Sequence, residues 1–361
     1  MFCPRCYRTY DDVSPRCPAD GAALLDVSPL EILRSRPTEQ RGAIIGDRYA
    51  IQGFVGSGGM ARVYLAEDTA TQTAVALKIL DVERAADAFA VQRFLREVEI
   101  AARIRHPNVV QILDAGERAD GVPFIVLEFL FGESLGDLLR RDGAVEPAFA
   151  LPLLRKAAAG LAVAHRAGII HRDVKPDNLF LMGERGNPYE LKVVDFGMAK
   201  LLEHEITSAG VTLGTIEYIA PEQAITDTVD ARADVYGLGA VMFRMLCGRL
   251  PFDAPETALR IAQHLFTPPP PPRSLRPDLD PRLEAVVLKA LRKDPVNRYA
   301  TMDELQEDLE RVHGEREGAL RAWEPLRAPA DVYIPRNQFA TRAARALKAR
   351  LDRAASPPSR R

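Results

Sequence analysis

The chain predicts an α+β fold in two lobes, a small antiparallel β lobe with one main helix and a larger, mostly helical lobe. Three observations predict it. Short alternating apolar runs, in VGSGGMARVYLAED (55–68) and TAVALKIL (73–80), cluster early in the chain. One segment, FAVQRFLREVEIAARI (89–104), repeats apolar residues at three- and four-residue steps, with Val91, Phe94, Leu95, Val98, Ala101 and Ala102 on one stripe. Later the patterned stretches grow to helix length, at 147–168, 233–248 and 283–293. The boundaries read as 47–130 for the small lobe and 131–313 for the large one, after a cysteine-bearing segment (1–24) and a linker (25–46) broken by Ser-Pro and Arg-Pro.

In the small lobe, Gly56, Gly58 and Gly59 stand between two strand-like runs, with Val55 and Ser57 beside them. Glycines let backbone N–H groups reach phosphate oxygens unobstructed and permit positive φ. The pattern is G-x-G-x-x-A-x-V, with Ala61 where a third glycine often stands. The next run carries Lys78. Only eight of the chain's 48 basic residues are lysines, so Lys78 and Lys175 stand out as chosen. A compact ammonium meets a phosphate as a point charge, where a guanidinium fork needs a different geometry. Glu97, beside the apolar stripe of 89–104, either reaches inward to pair with Lys78, the preferred reading, or lies on the helix surface near Arg93 and Arg96.

The large lobe holds the densest chemistry. Residues 171–178 read HRDVKPDN, and DFG follows at 195–197. Asp173 can accept the proton of an attacking hydroxyl, and Lys175 can place positive charge on a migrating phosphoryl. Asn178 and Asp195 offer hard oxygen ligands suited to Mg²⁺. This ordered set points to transfer of the γ-phosphoryl group of ATP.

With HPNVV (106–110), IVLEFL (125–130), APE (220–222), DVYGLG (234–239) and DPVNRY (294–299) added, the chain resembles protein kinases, specifically the eukaryotic-like Ser/Thr kinases of bacteria. The resemblance implies the bilobal protein kinase fold over 47–313, with ATP and Mg²⁺ between the lobes. It implies that Lys78 holds the α/β-phosphates and pairs with Glu97, that Val63 and Ala76 cover the adenine from above and that Phe180 lies below. Leu127 would be the gatekeeper, and the backbones of Glu128 and Leu130 would bond the adenine. Asp234 would brace the catalytic loop, and Glu222 would pair with Arg298. Lys175 and Thr215 match the Ser/Thr class. Arg172 and Lys200 would grip a phosphate on the activation segment, with Thr207, Ser208 and Thr212 as candidate autophosphorylation sites and Thr215 serving the active site. A kinase-shaped scaffold without activity is the alternative, and it usually lacks one of the residues present here.

The N-terminal segment carries Cys3, Cys6 and Cys17, with Asp20 where a second C-x-x-C would supply a fourth cysteine. This resembles a zinc ribbon with a variant second knuckle, and Zn²⁺ is the preferred reading over unbound thiols or a disulfide. Cys247, in an apolar run, is expected in the core. The proline run 268–272 reads as an extended surface loop. The tail 314–361 contains a basic stretch, 339–353, that forms either an amphipathic helix or a solvated tail. The ribbon or the tail could meet a partner protein, and the sequence leaves open whether two kinase domains pair during activation. A net charge of −2 argues against a dedicated nucleic-acid binder. No apolar run reaches bilayer length, so the expectation is a cytoplasmic enzyme acting on proteins.

Overall fold

In the computed structural model of the chain, the residues described are 16, 33–34, 38, 40–57, 61–80, 98–99, 101–182, 189–196, 216–226 and 229–313. They fall into two compact units. One holds the described residues up to Ser134 with 180–182 and 189–196, and the other holds Leu135–Leu179 with the described residues from 216 onward.

The first unit is built on a six-stranded antiparallel sheet of β1 (Ile44–Ile45), β2 (Tyr49–Ser57), β3 (Ala61–Asp68), β4 (Thr73–Leu80), β5 (Ile112–Glu117) and β6 (Pro123–Glu128), in the order β1-β2-β3-β4-β6-β5. Side chains alternate across a strand, so residues paired across strands share a face. Val63 pairs with Lys78, Ala76 with both Leu65 and Leu127, and Lys78 with Ile125, all on one face. The other face carries Tyr64, Val75, Leu77, Ile79, Phe124 and Val126, which cluster with Ile45, Tyr49 and Ile51 into an apolar core. Full burial of a residue such as Leu77 contributes roughly 1.5–3 kcal/mol.

A three-stranded sheet follows, β7 (Glu133–Ser134), β8 (Leu179–Met182) and β9 (Glu190–Val193), in that order. The chain enters β7 through Gly132 at φ 154°, where a side chain would run into the carbonyl oxygen of Leu181. Buried Asn108, of the HPN motif, donates its amide to the Leu191 carbonyl at 2.8 Å. Backbone bonds between 108–110 and Val193 complete the hold on β9.

The described part of the second unit contains α1 (Leu135–Asp142), α2 (Pro147–Arg166), α3 (Arg232–Cys247), α4 (Thr257–Phe266), α5 (Pro272–Leu275), α6 (Pro281–Ala290) and α7 (Met302–His313). Proline opens α2, α5 and α6, where its missing N–H costs nothing and its fixed φ suits the first turn. Almost all of α3 is buried, and it packs on α2 and α6, while α2 also lies along α7.

Four expectations are adjusted. The end of the expected linker forms β1, because Ile45 is apolar and pairs with Tyr49. Cys247 is half-buried, since it ends α3 beside the carbonyl of Pro272, and burial pushes its thiol up to about 11. Pro272 is buried and starts α5, so the proline run ends in a helical turn. Among the described residues, α2 is long and apolar enough by length and composition to cross a membrane, and about half of it is buried within the unit. Most of the segment 89–104 lies outside the described residues, where Val98 and Ala101 are described and buried.

Candidate active site

The catalytic loop takes its shape from α3. Asp234, fully buried one turn into that helix, accepts the backbone N–H of His171 and of Arg172, each at 2.8 Å. It also meets Nε2 of His165 at 2.7 Å, at the end of α2. Three groups thus converge on one carboxylate, which offsets the cost of burying it. Arg172 is left-handed at φ 62°. Such a conformation persists in a side-chain-bearing residue only where its surroundings over-determine it.

The loop then closes on Asp173. Lys175 Nζ donates to Asp173 Oδ2 at 2.8 Å, and Asn178 Nδ2 donates to the same oxygen at 3.1 Å and to the Asp173 carbonyl at 2.8 Å. Pro176–Asn178 form a 3-10 turn that brings Asn178 back over Asp173. Because Asn178 spends its N–H donors on Asp173, its amide oxygen is the end left for a hard cation. Gly237, one turn beyond Asp234 on α3, lies under this loop, and a Cβ there would sit 3.0 Å from Cβ of Val174.

Asp177 of the same turn accepts Arg140 Nη1 at 2.9 Å, and Asp137 accepts Arg140 Nη2 at 2.8 Å. Asp137 first, then Asp177, raises the Arg140 pKa above its usual value. Burial pushes the Tyr218 phenol well above its ordinary range. Glu222 and Arg298 pair as expected, through both carboxylate oxygens at 2.6 and 2.7 Å.

In the first unit, Lys78 Nζ lies 2.6 Å from Oδ1 of Asp195, which is itself left-handed at φ 55°, while Phe196 is buried. Val63, Ala76, Lys78 and gatekeeper candidate Leu127 share the sheet face described above. Val55 and Gly56 are half-buried at the end of β2 and Ser57 is exposed there. Leu130 follows β6, and Phe180 sits on β8 opposite Ser134. The Glu128 carboxylate accepts Lys192 Nζ at 2.6 Å and the Gln111 backbone N–H at 2.7 Å on the same oxygen, and the Glu128 backbone N–H donates to the Gln111 carbonyl at 3.0 Å.

Gly58, Gly59, Glu97, Lys200, Thr207, Ser208, Thr212 and Thr215 lie outside the described residues, as do Cys3, Cys6, Cys17 and Asp20. The expected Lys78–Glu97 pair is therefore undescribed. Three contributors were not singled out from sequence: His165, Gln223 and the Lys192–Glu128 pair. His165 falls on the helix leading into the catalytic loop and Gln223 directly follows APE, and those positions were their only signals.

Residues 49–309 match the family model described as Protein kinase domain. The chain is 40% identical over 275 residues to serine/threonine-protein kinase PknB of Mycolicibacterium smegmatis, covering 74% of this chain and 43% of that protein. It is 35% identical over 285 residues to serine/threonine-protein kinase pkn3 of Myxococcus xanthus, covering 77% and 52%. The solved Mycobacterium tuberculosis PknI kinase domain matches with a TM-score of 0.61 and 28% identity, over 76% of this chain and 99% of that one. The chain spans about half the length of the curated relatives it matches. The matched stretch fills well over half of the chain, which therefore belongs to the protein kinase family and carries a PknB-like bacterial Ser/Thr kinase domain.

Proposed function

We propose that the chain transfers the γ-phosphoryl group of ATP to Ser or Thr hydroxyls of proteins. The observation that carries this is the Asp173–Lys175–Asn178 cluster, held on the Asp234 carboxylate. In this reading the substrate hydroxyl oxygen bonds to Pγ, its proton passes to Asp173, and the bond from Pγ to the β–γ bridging oxygen breaks to release ADP. Lys175 stabilises charge on the migrating group, and Lys78 holds the α/β-phosphates. Val63, Ala76 and Phe180 enclose the adenine, while the backbones of Glu128 and Leu130 bond it. The carboxylate of Asp195 and the amide oxygen of Asn178 are hard donors that fit Mg²⁺, which would neutralise phosphate charge. The scaffold alternative is not favoured, because Lys78, Asp173, Asn178 and Asp195 are all present.

Activation-segment phosphorylation at Thr207, Ser208 or Thr212, gripped by Arg172 and Lys200, belongs to the same reading. So does a cytoplasmic site of action, where ATP is supplied. For the N-terminal segment, the C-P-x-C spacing supports Zn²⁺ on Cys3, Cys6, Cys17 and Asp20, with the ribbon or the basic tail meeting a partner. Metal analysis of the purified chain should find zinc that Cys3→Ser removes.

The test of the enzyme reading is phosphate incorporation with ATP and Mg²⁺, beside Asp195→Asn and Lys78→Met, with modified sites mapped by mass spectrometry. Incorporation on Ser or Thr should fall by at least about a hundredfold in either variant. Incorporation that survives both substitutions would rule out this assignment of roles.

A further inference from the structure

Gln223 follows the APE motif in a 3-10 turn, Pro221–Ala224, and joins two stretches of chain. Its amide nitrogen donates to the Arg172 carbonyl at 2.8 Å, and its amide oxygen accepts the Ala220 backbone N–H at 3.1 Å. The Arg172 carbonyl belongs to the peptide unit that ends at the nitrogen of Asp173. Asp234 holds the N–H on the near side of Arg172, and Nδ1 of His171 accepts the N–H of Asp173 at 3.2 Å. Asn178 holds the Asp173 carbonyl at 2.8 Å. Both backbone polar groups of Arg172 and both of Asp173 are therefore committed. Gln223 is the one of these partners that comes from the stretch 216–224, which contains the end of the activation segment (195–222). Its neighbour Glu222 ties that stretch to Arg298 in the core.

We infer that Gln223 is a positioning residue for phosphoryl transfer. It sets the tilt of the Arg172–Asp173 peptide and makes that tilt depend on the seating of residues 216–224. The residue type fits this role. The Arg172 carbonyl needs a donor and the Ala220 N–H needs an acceptor, and a carboxamide provides both on one short side chain. A carboxylate provides only the acceptor, and an aliphatic group neither. The inference rests on the kinase reading, since the orientation of Asp173 matters because it receives the hydroxyl proton.

The test compares the full chain with Gln223→Glu and Gln223→Leu. Gln223→Glu keeps the size and the Ala220 contact but turns an acceptor toward the Arg172 carbonyl. At about pH 8 it should lower kcat about tenfold while KM for ATP stays within about twofold, a split that marks lost transition-state positioning. Amide hydrogen exchange across 171–175 should quicken in both variants, with the thermal midpoint little changed. A carboxyl held against a carbonyl oxygen has its pKa raised above the ordinary value, because only its protonated form can donate there, so towards about pH 6 a growing fraction is protonated and can donate again. The ratio of Gln223→Glu to wild type should therefore recover, and that of Gln223→Leu should not. Unchanged kcat and exchange in both variants would overturn the inference. A loss with no pH recovery and a fallen thermal midpoint, or failure of both variants to fold, would overturn it by showing that Gln223 holds the fold. A wild-type chain without turnover refutes the kinase reading separately, and the exchange comparison still decides whether Gln223 orders the loop.

Discussion

Arg298 donates to both oxygens of Glu222 and to the carbonyls of Arg232, Arg292 and Lys293. Its side chain is fully buried and that of Glu222 is 6% exposed, so neither charge has water to fall back on. Arg298→Ala should cost about 3–5 kcal/mol, because it strands a buried carboxylate. Arg298→Lys should recover only part, since an ammonium cannot present the same fork. Urea unfolding measures both, and a loss under about 1 kcal/mol for Arg298→Ala would mean that the pair behaves like a surface contact. At this scale legibility follows sequence distance. Asp173, Lys175 and Asn178 touch within five residues, so their run shows them together. Glu222 and Arg298 are 76 apart and were reached through family resemblance. Gln223 and His165 are common residue types whose partners lie far along the chain, and only their positions beside APE and before the catalytic loop mark them.

Helix α3 is the shelf on which the catalytic loop rests. Asp234 binds the loop backbone and Gly237, three residues on, lets the loop sit against the helix. Gly237→Ala sets two effects against each other. Alanine favours the helix by up to about 1 kcal/mol, whereas crowding a packed contact costs about 1–3 kcal/mol. The new methyl would press on Val174, next to Asp173, so the loop must give by a few tenths of an ångström. Turnover should fall several-fold while the thermal midpoint moves by only a few degrees, which kinetics and calorimetry on one preparation would check. Equal turnover would show that the loop has slack. The strands around Lys78 and the long helices were readable because their periodicities are clear. The strand β1 was not, for two residues carry no period, and their pairing with Tyr49 and Ala50 is a tertiary fact.

For the molecule as a whole, acid sensitivity has an identifiable centre. His264 of α4 is fully buried, with Nδ1 2.9 Å from the Tyr236 hydroxyl and its ring against the edge of Phe252. Burial, then the charges of Lys293 and Arg260, holds its pKa well below the ordinary value. The unfolded chain therefore takes up a proton that the folded chain refuses. Stability should be full above about pH 6.5 and fall below it by up to about 1.4 kcal/mol per pH unit, down to the folded pKa. Replacing His264 by Phe should flatten that part of the pH–stability curve, and an unchanged slope would place the sensitivity elsewhere. The order in which the chain emerges also matters. Helix α2 lies against α7, yet 136 positions separate Arg166 from Met302 (302 − 166). At roughly 5–20 residues per second, a ribosome needs roughly 7–27 s to cover that distance. Throughout that interval a bilayer-length apolar helix lacks cover on the side that α7 will take, so birth of the protein, more than its finished state, is when α2 most needs shielding by a chaperone.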